Sequence, residues 1–178
     1  EAEASERAFL VVYYGEGGVL LHSLDTVARA DFLLHNLDKA FPDLSAPIEA
    51  SLAKKTQGTV SHKAVLVLAA LLHDIAKPET AKQVDGRLRF FGHDVRGAKS
   101  ASAILKSFKF SREHIDTVSK VIANHLRPGN LAASGPISDK ATYRFFRDMG
   151  DDAISLLLVC WADHASYLTE TVLSKVLK

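Results

Sequence analysis

Two adjacent residues, His73 and Asp74, close the apolar run AVLVLAALL at 64–72. A run that is hydrophobic on every side belongs to a buried helix. His73 stands three, four and seven residues after Ala70, Ala69 and Leu66, and Asp74 stands at the same offsets from Leu71, Ala70 and Val67. Both side chains therefore point into the interior. Burying two ionisable groups costs several kcal/mol unless each is paired or metal-bound. An imidazole nitrogen and a carboxylate oxygen together suit a divalent first-row cation. A His–Asp hydrogen bond capping a core helix is the alternative that the pair alone leaves open.

A metal needs further ligands, so polar residues on apolar stripes come next. Asp163 follows Leu156, Val159 and Cys160 at helical spacing, where a carboxylate requires a metal or a buried cation. His125 follows Val118, Val121 and Ile122 in the same way, and His93 opens a helix whose stripe, Gly97, Ala101 and Ile104, is small enough for a close neighbour. His22 opens the first long helix without support from periodicity. His35, on the stripe of Leu24 and Ala28, reads as at least as inward. His114 lies eleven residues before His125, about 16 Å along a helix, so the two cannot share one centre. His62 and His164 are assigned surface or supporting roles.

The elements that must position these residues are helices. Apolar residues recur at helical spacing over roughly 19–40, 62–77, 93–107, 111–125, 138–149 and 152–168, with a helical tail expected at 170–177. The one extended candidate is Gly86–Phe91. All five prolines, Pro42, Pro47, Pro78, Pro128 and Pro136, are expected between helices. Ser111 and Ser138 are expected N-caps. The fold class is all-α, a helical bundle with a metal site between core helices, and the 178 residues are expected to form a single domain.

Composition is that of a globular chain, and a net charge of +1 argues against a strongly basic nucleic-acid module while allowing a local basic patch. Cys160, the one cysteine, excludes an internal disulfide and reads as a buried reduced thiol, as in a cytoplasmic protein. No apolar run reaches the ~18 residues of a membrane span, and no signal peptide is visible. A chain that opens at Glu1 without Met is expected to be a fragment of a longer protein.

The order His22, His73-Asp74, Asp163, with LLHDIAKPET around the pair, resembles the HD metal-dependent phosphohydrolases. The segments GHDVRGAKSA, SREHIDTVSKVIANHLRP and KATYRFFRDMG are similar to the HD region of bacterial tRNA nucleotidyltransferases, the CCA-adding and poly(A)-polymerase-like proteins. The Gly-Ser and paired-Asp motif of a nucleotidyltransferase head is missing, so the chain is not expected to add nucleotides by itself. The resemblance selects His22 over His35. It implies that Asp74 bridges two metals, with His22, His73 and Asp163 at one and His93 and His125 at the other. One or two ions of Mn, Fe, Co, Ni or Zn are implied, with Mg possible. Asp74 and Lys77 are the implied catalytic residues, and Lys77, Arg96, Arg127 and Arg144, with Arg147 also considered, are candidates for holding phosphate. The implied partner is a nucleotide or RNA end, and tRNA only through missing domains. The implied activity is hydrolysis of 2′,3′-cyclic phosphodiesters, 2′-nucleotides or similar esters. A non-catalytic RNA-binding or scaffolding module is the rival, against which stands the lack of any physical need for buried His and Asp at a retired site.

Overall fold

Helix formation follows the apolar stripes. The computed structural model describes residues 18–55, 60–169 and 172. Its elements are α1 (Gly18–Leu34), α2 (Leu37–Ala40), α3 (Ser45–Ala53), α4 (His62–Leu72), α5 (Lys77–Thr80), β1 (Lys82–Val84) and β2 (Arg87–Arg89). There follow α6 (His93–Ser107), α7 (Arg112–Asn124), α8 (Arg127–Ala133), α9 (Asp139–Met149), a 3-10 turn (Gly150–Asp152) and α10 (Ala153–Ser166). The architecture is all-α, with β1–β2 the only sheet among the described residues.

Helix α4 is the axis of the core. Its Val65, Leu66, Ala69 and Ala70 are fully buried beneath α1, α7 and α10, which pack around it. Small residues let the backbones approach. At Gly97 on α6 an added Cβ would lie 3.3 Å from the His73 carbonyl oxygen and 3.5 Å from Ile122 Cγ2, so the start of α6 rests directly on the end of α4. Ser61, Ser111 and Ser138 each cap a helix by accepting a hydrogen bond from the backbone N–H of Ala64, His114 and Ala141. Each such cap contributes about 1 kcal/mol.

The expected helix 19–40 is broken at His35-Asn36, and the expected helix 62–77 ends at Leu72, with His73 starting a turn. Pro47, Pro78 and Pro128 do not lie between helices. Each sits in the first turn of a short helix, α3, α5 or α8, where its missing N–H would have had no partner anyway. The single extended stretch expected at Gly86–Phe91 is half of a hairpin whose turn, Asp85-Gly86, has φ of 51° and 72° at its two residues. Asp-Gly is the sequence signal for such a turn. Cys160 is half-buried rather than buried, because it faces an apolar hollow lined by Pro128, Gly129, Trp161 and Leu168. The expected tail at 170–177 lies outside the described residues apart from Val172. No described helix is long and apolar enough to cross a membrane.

Candidate metal centre

The end of α4 delivers His73 and Asp74, both with no exposed surface, to a junction of four other helices. His22 comes from the first turns of α1, His93 from the first residue of α6, His125 from the end of α7 and Asp163 from the last turn of α10. The side chains divide into two groups about Asp74. Asp74 Oδ2 lies 3.3 Å from both His22 Nε2 and His73 Nε2. Asp163 Oδ1 closes that group, 3.1 Å from His22 Nε2 and 3.6 Å from His73 Nε2. Asp74 Oδ1 faces the other way, 3.4 Å from His93 Nε2 and 3.7 Å from His125 Nε2. Each group has the composition and spacing to hold a metal ion.

The ring orientations are set from behind. His73 Nδ1–H donates to the Ala70 carbonyl at 2.8 Å, His93 Nδ1–H to Phe90 at 2.6 Å and His125 Nδ1–H to Ile122 at 2.7 Å. Ser166 Oγ–H donates to the Asp163 carbonyl at 2.6 Å, which leaves Oγ to accept from His22 Nδ1–H at 3.2 Å. All four imidazoles thus turn Nε2 toward the carboxylates, and in the neutral ring Nε2 is a lone pair. His93 and His125 even bring their Nε2 atoms within 3.2 Å of each other. Lone pairs converging on carboxylate oxygens and on one another require something positive between them. His73 Nε2, Asp74 Oδ1 and Asp163 Oδ1 are buried without a hydrogen-bond partner. Donors held at 2.0–2.1 Å from a metal sit roughly 3.0–3.4 Å apart, and most of the distances above fall in or near that range. The residues fit a divalent ion in each group.

Protons compete for the same place. Burial depresses His73, but Asp163 and Asp74 outweigh it and hold the imidazole up at about 10. His22 is raised for the same reason, against the opposing effect of its burial. Burial would raise Asp74, yet His22, His73 and His93 hold it far below the usual carboxylate range, and Asp163 is lowered by His22 and His73. Burial and the nearby His73 charge push His125 down to about 4.

Lys77 lies one turn beyond the pair, with Nζ 2.6 Å from Asp74 Oδ2 and 5.5 Å from the centre of the Phe90 ring. The other candidates scatter. Arg127 and Arg147 both bind Asp148, at 2.8 and 2.7 Å, and Arg127 also covers Phe145. Arg96 is exposed beside Glu79, and Arg144 is exposed. His35 is 66% exposed at its side chain, so the inward reading of it fails. Leu24 and Ala28 form the outer face of α1, and His22, Thr26, Ala30 and Leu33 the inner one. His114 bonds the capping Ser111 at 2.9 Å, apart from the cluster. His164 is exposed on Cys160, but His62 is buried, 3.8 Å from Asp152, not superficial. Spacing missed two residues, Ser166 and Tyr167. Both contact His22, the tyrosine ring stacking on it at 4.9 Å, and proximity in chain to Asp163 was their only signal.

This all-α frame and its His-Asp centre define a class, and residues 22–168 match the HD domain family. The chain belongs to that family. It is similar to the CC-adding tRNA nucleotidyltransferase of Thermus thermophilus, 36% identical over 96 residues, which is 51% of this chain and 20% of that protein. It is also similar to the bifunctional uridylyltransferase/uridylyl-removing enzymes of Rhodopseudomonas palustris, 35% identical over 48% of this chain and 8% of the relative, and of Nitrosococcus oceani, 30% identical over 75% and 14%. The matched region is thus a small part of each relative.

Proposed function

We propose that this chain is a metal-dependent phosphohydrolase acting on nucleotide-like phosphate esters, 2′,3′-cyclic phosphodiesters and 2′-nucleotides foremost. His22, His73 and Asp163 hold one divalent ion and His93 and His125 a second, with Asp74 shared. The observation that supports this most is the convergence of four Nε2 lone pairs on the two oxygens of one fully buried carboxylate. The imidazole-rich donor set favours Mn, Fe, Co, Ni or Zn over Mg. Ions so held supply acidified water near neutral pH and positive charge for phosphoryl oxygens.

The chain's own residues do the positioning. The carbonyls of Ala70, Phe90 and Ile122 fix three rings and Ser166 the fourth. Lys77 balances Asp74 and holds a substrate phosphate oxygen by a charge-assisted hydrogen bond. Arg96 and Arg127 are engaged by carboxylates, Glu79 and Asp148, and Arg144 faces solvent, so Lys77 is the cation that carries this role. Water then adds across one P–O bond, giving a phosphomonoester and a freed hydroxyl from a cyclic diester. The names of the relatives, a tRNA nucleotidyltransferase and uridylyl-removing enzymes, support a nucleotidyl substrate.

A panel of 2′,3′-cyclic nucleotides, 2′- and 3′-monophosphates and nucleoside triphosphates, assayed with Ni, Mn, Co and Mg, tests the reading. Turnover of the cyclic and 2′ esters, abolished by chelator, is expected. Cleavage of triphosphates alone overturns the substrate assignment, and metal binding without any turnover makes the domain an RNA-binding or scaffolding module.

A further inference from the structure

The hairpin β1–β2 carries a charge pattern that folding alone disfavours. Its register pairs Lys82 with Arg89 and Val84 with Arg87. Directly opposed residues share a face, so Lys82, Arg87 and Arg89 project together, while Gln83 and the half-buried Leu88 occupy the other face. Like charges set opposite one another destabilise a pair of strands. Among the described residues none of the three forms an ion pair with a carboxylate. Residues 77–99 hold six basic and three acidic side chains in a chain whose total is +1.

The hairpin is also attached to the centre. Phe90 follows β2 directly, its carbonyl fixes His93 at 2.6 Å and its ring lies under Lys77. Next to it Phe91 is 71% exposed at a shallow cleft with Val95, Arg96 and Lys99. Exposed cations along a track with an exposed aromatic ring are the means by which proteins hold single-stranded nucleic acid.

We infer that the hairpin face of Lys82, Arg87 and Arg89 is a docking surface for the backbone of a single-stranded RNA whose terminal phosphate ester enters the metal centre, with a base stacked on Phe91. The inference rests on the phosphohydrolase reading for what happens at the strand's end, but not for the binding itself. It names the polyanion that the overall charge of the chain does not reveal.

The test uses the full chain and a fluorescein-labelled RNA twelve-mer ending in a 2′,3′-cyclic phosphate. Binding is followed by anisotropy as a function of salt, and hydrolysis is compared with that of a 2′,3′-cyclic mononucleotide. The triple variant Lys82→Gln, Arg87→Gln, Arg89→Gln is expected to bind the twelve-mer at least about tenfold more weakly. Its salt dependence should flatten by about two, since each phosphate contact to a single strand contributes ~0.7 to the slope. Its melting temperature and mononucleotide turnover should match wild type. Phe91→Ala should weaken twelve-mer binding without changing the salt slope. Equal affinity and slope in the triple variant would overturn the inference, as would a wild-type chain that fails to bind the twelve-mer at low salt. Hairpin-dependent binding without hydrolysis would support the docking surface and sink the hydrolase reading instead.

Discussion

Replacing Asp74 by Asn removes one charge and leaves the volume unchanged. In the metal-free chain Asp74 faces four imidazole nitrogens and the Lys77 ammonium, with none of its side chain exposed. Removing one partner of a buried charged pair costs about 3–5 kcal/mol, because the remaining charge stays buried. For a chain of this size each kcal/mol lowers Tm by about 2–4 °C, so the drop is about 6–20 °C. Desolvation works the other way, since an amide is easier to bury than a carboxylate, and places the result in the lower half of that range. Metal should then fail to restore stability, because both groups lose a charged donor at once. His93→Ala takes a donor from one group only and should be milder in metal content and turnover. His35→Ala, at an exposed ring, should stay within about 0.5 kcal/mol of wild type. Melting curves with chelator and with added Mn, alongside metal content and hydrolysis, measure all three. If His35→Ala is the most damaging, or Asp74→Asn melts like wild type and still binds metal, the arrangement around Asp74 has been misread.

Three further outcomes are expected. His73 is held above its ordinary value, so its contribution to stability is fully present below pH 6.5 and lost as pH rises toward about 10; metal binding the deprotonated ring should reverse that loss. Tm against pH with and without chelator checks this, and a metal-free chain equally stable from pH 7 to 10 would contradict it. Gly97→Val crowds the His73 carbonyl and Ile122 and should cost about 1–3 kcal/mol, read as a lowered Tm; a variant melting at or above wild type would show that α6 does not rest on α4 as described. Ser166→Ala frees the His22 ring and should weaken Mn binding about 10–100-fold by calorimetric titration, whereas unchanged affinity would remove Ser166 from the site.

The site was legible where burial and charge conflict. His73, Asp74, His125 and Asp163 each interrupt an apolar stripe, and a stripe reports direction. His22 was not legible in this way, because the inner face of α1 carries Ser23 and Thr26 while three leucines, Leu20, Leu21 and Leu24, lie outward; only the resemblance chose it over His35. Short elements escaped for a different reason. Helices α3, α5 and α8 are too brief to show a period, and each contains a proline that reads as a break until it is placed in a first turn. Of the hairpin, β2 falls within the expected stretch Gly86–Phe91, with Leu88 half-buried between two exposed arginines, whereas β1 is exposed throughout and shows no alternation. His62 became buried through packing against the 3-10 turn near Asp152, a long-range contact that no local pattern encodes.

The cluster around Asp74 is proposed to hold metal. Elemental analysis of the full chain after gentle purification, repeated after incubation with Mn or Ni and removal of the excess, tests it most directly. Between one and two ions per chain are expected, displaced by chelator and largely lost in Asp74→Asn; less than about a tenth of an ion per chain, with no uptake from either metal at pH 8, would contradict it.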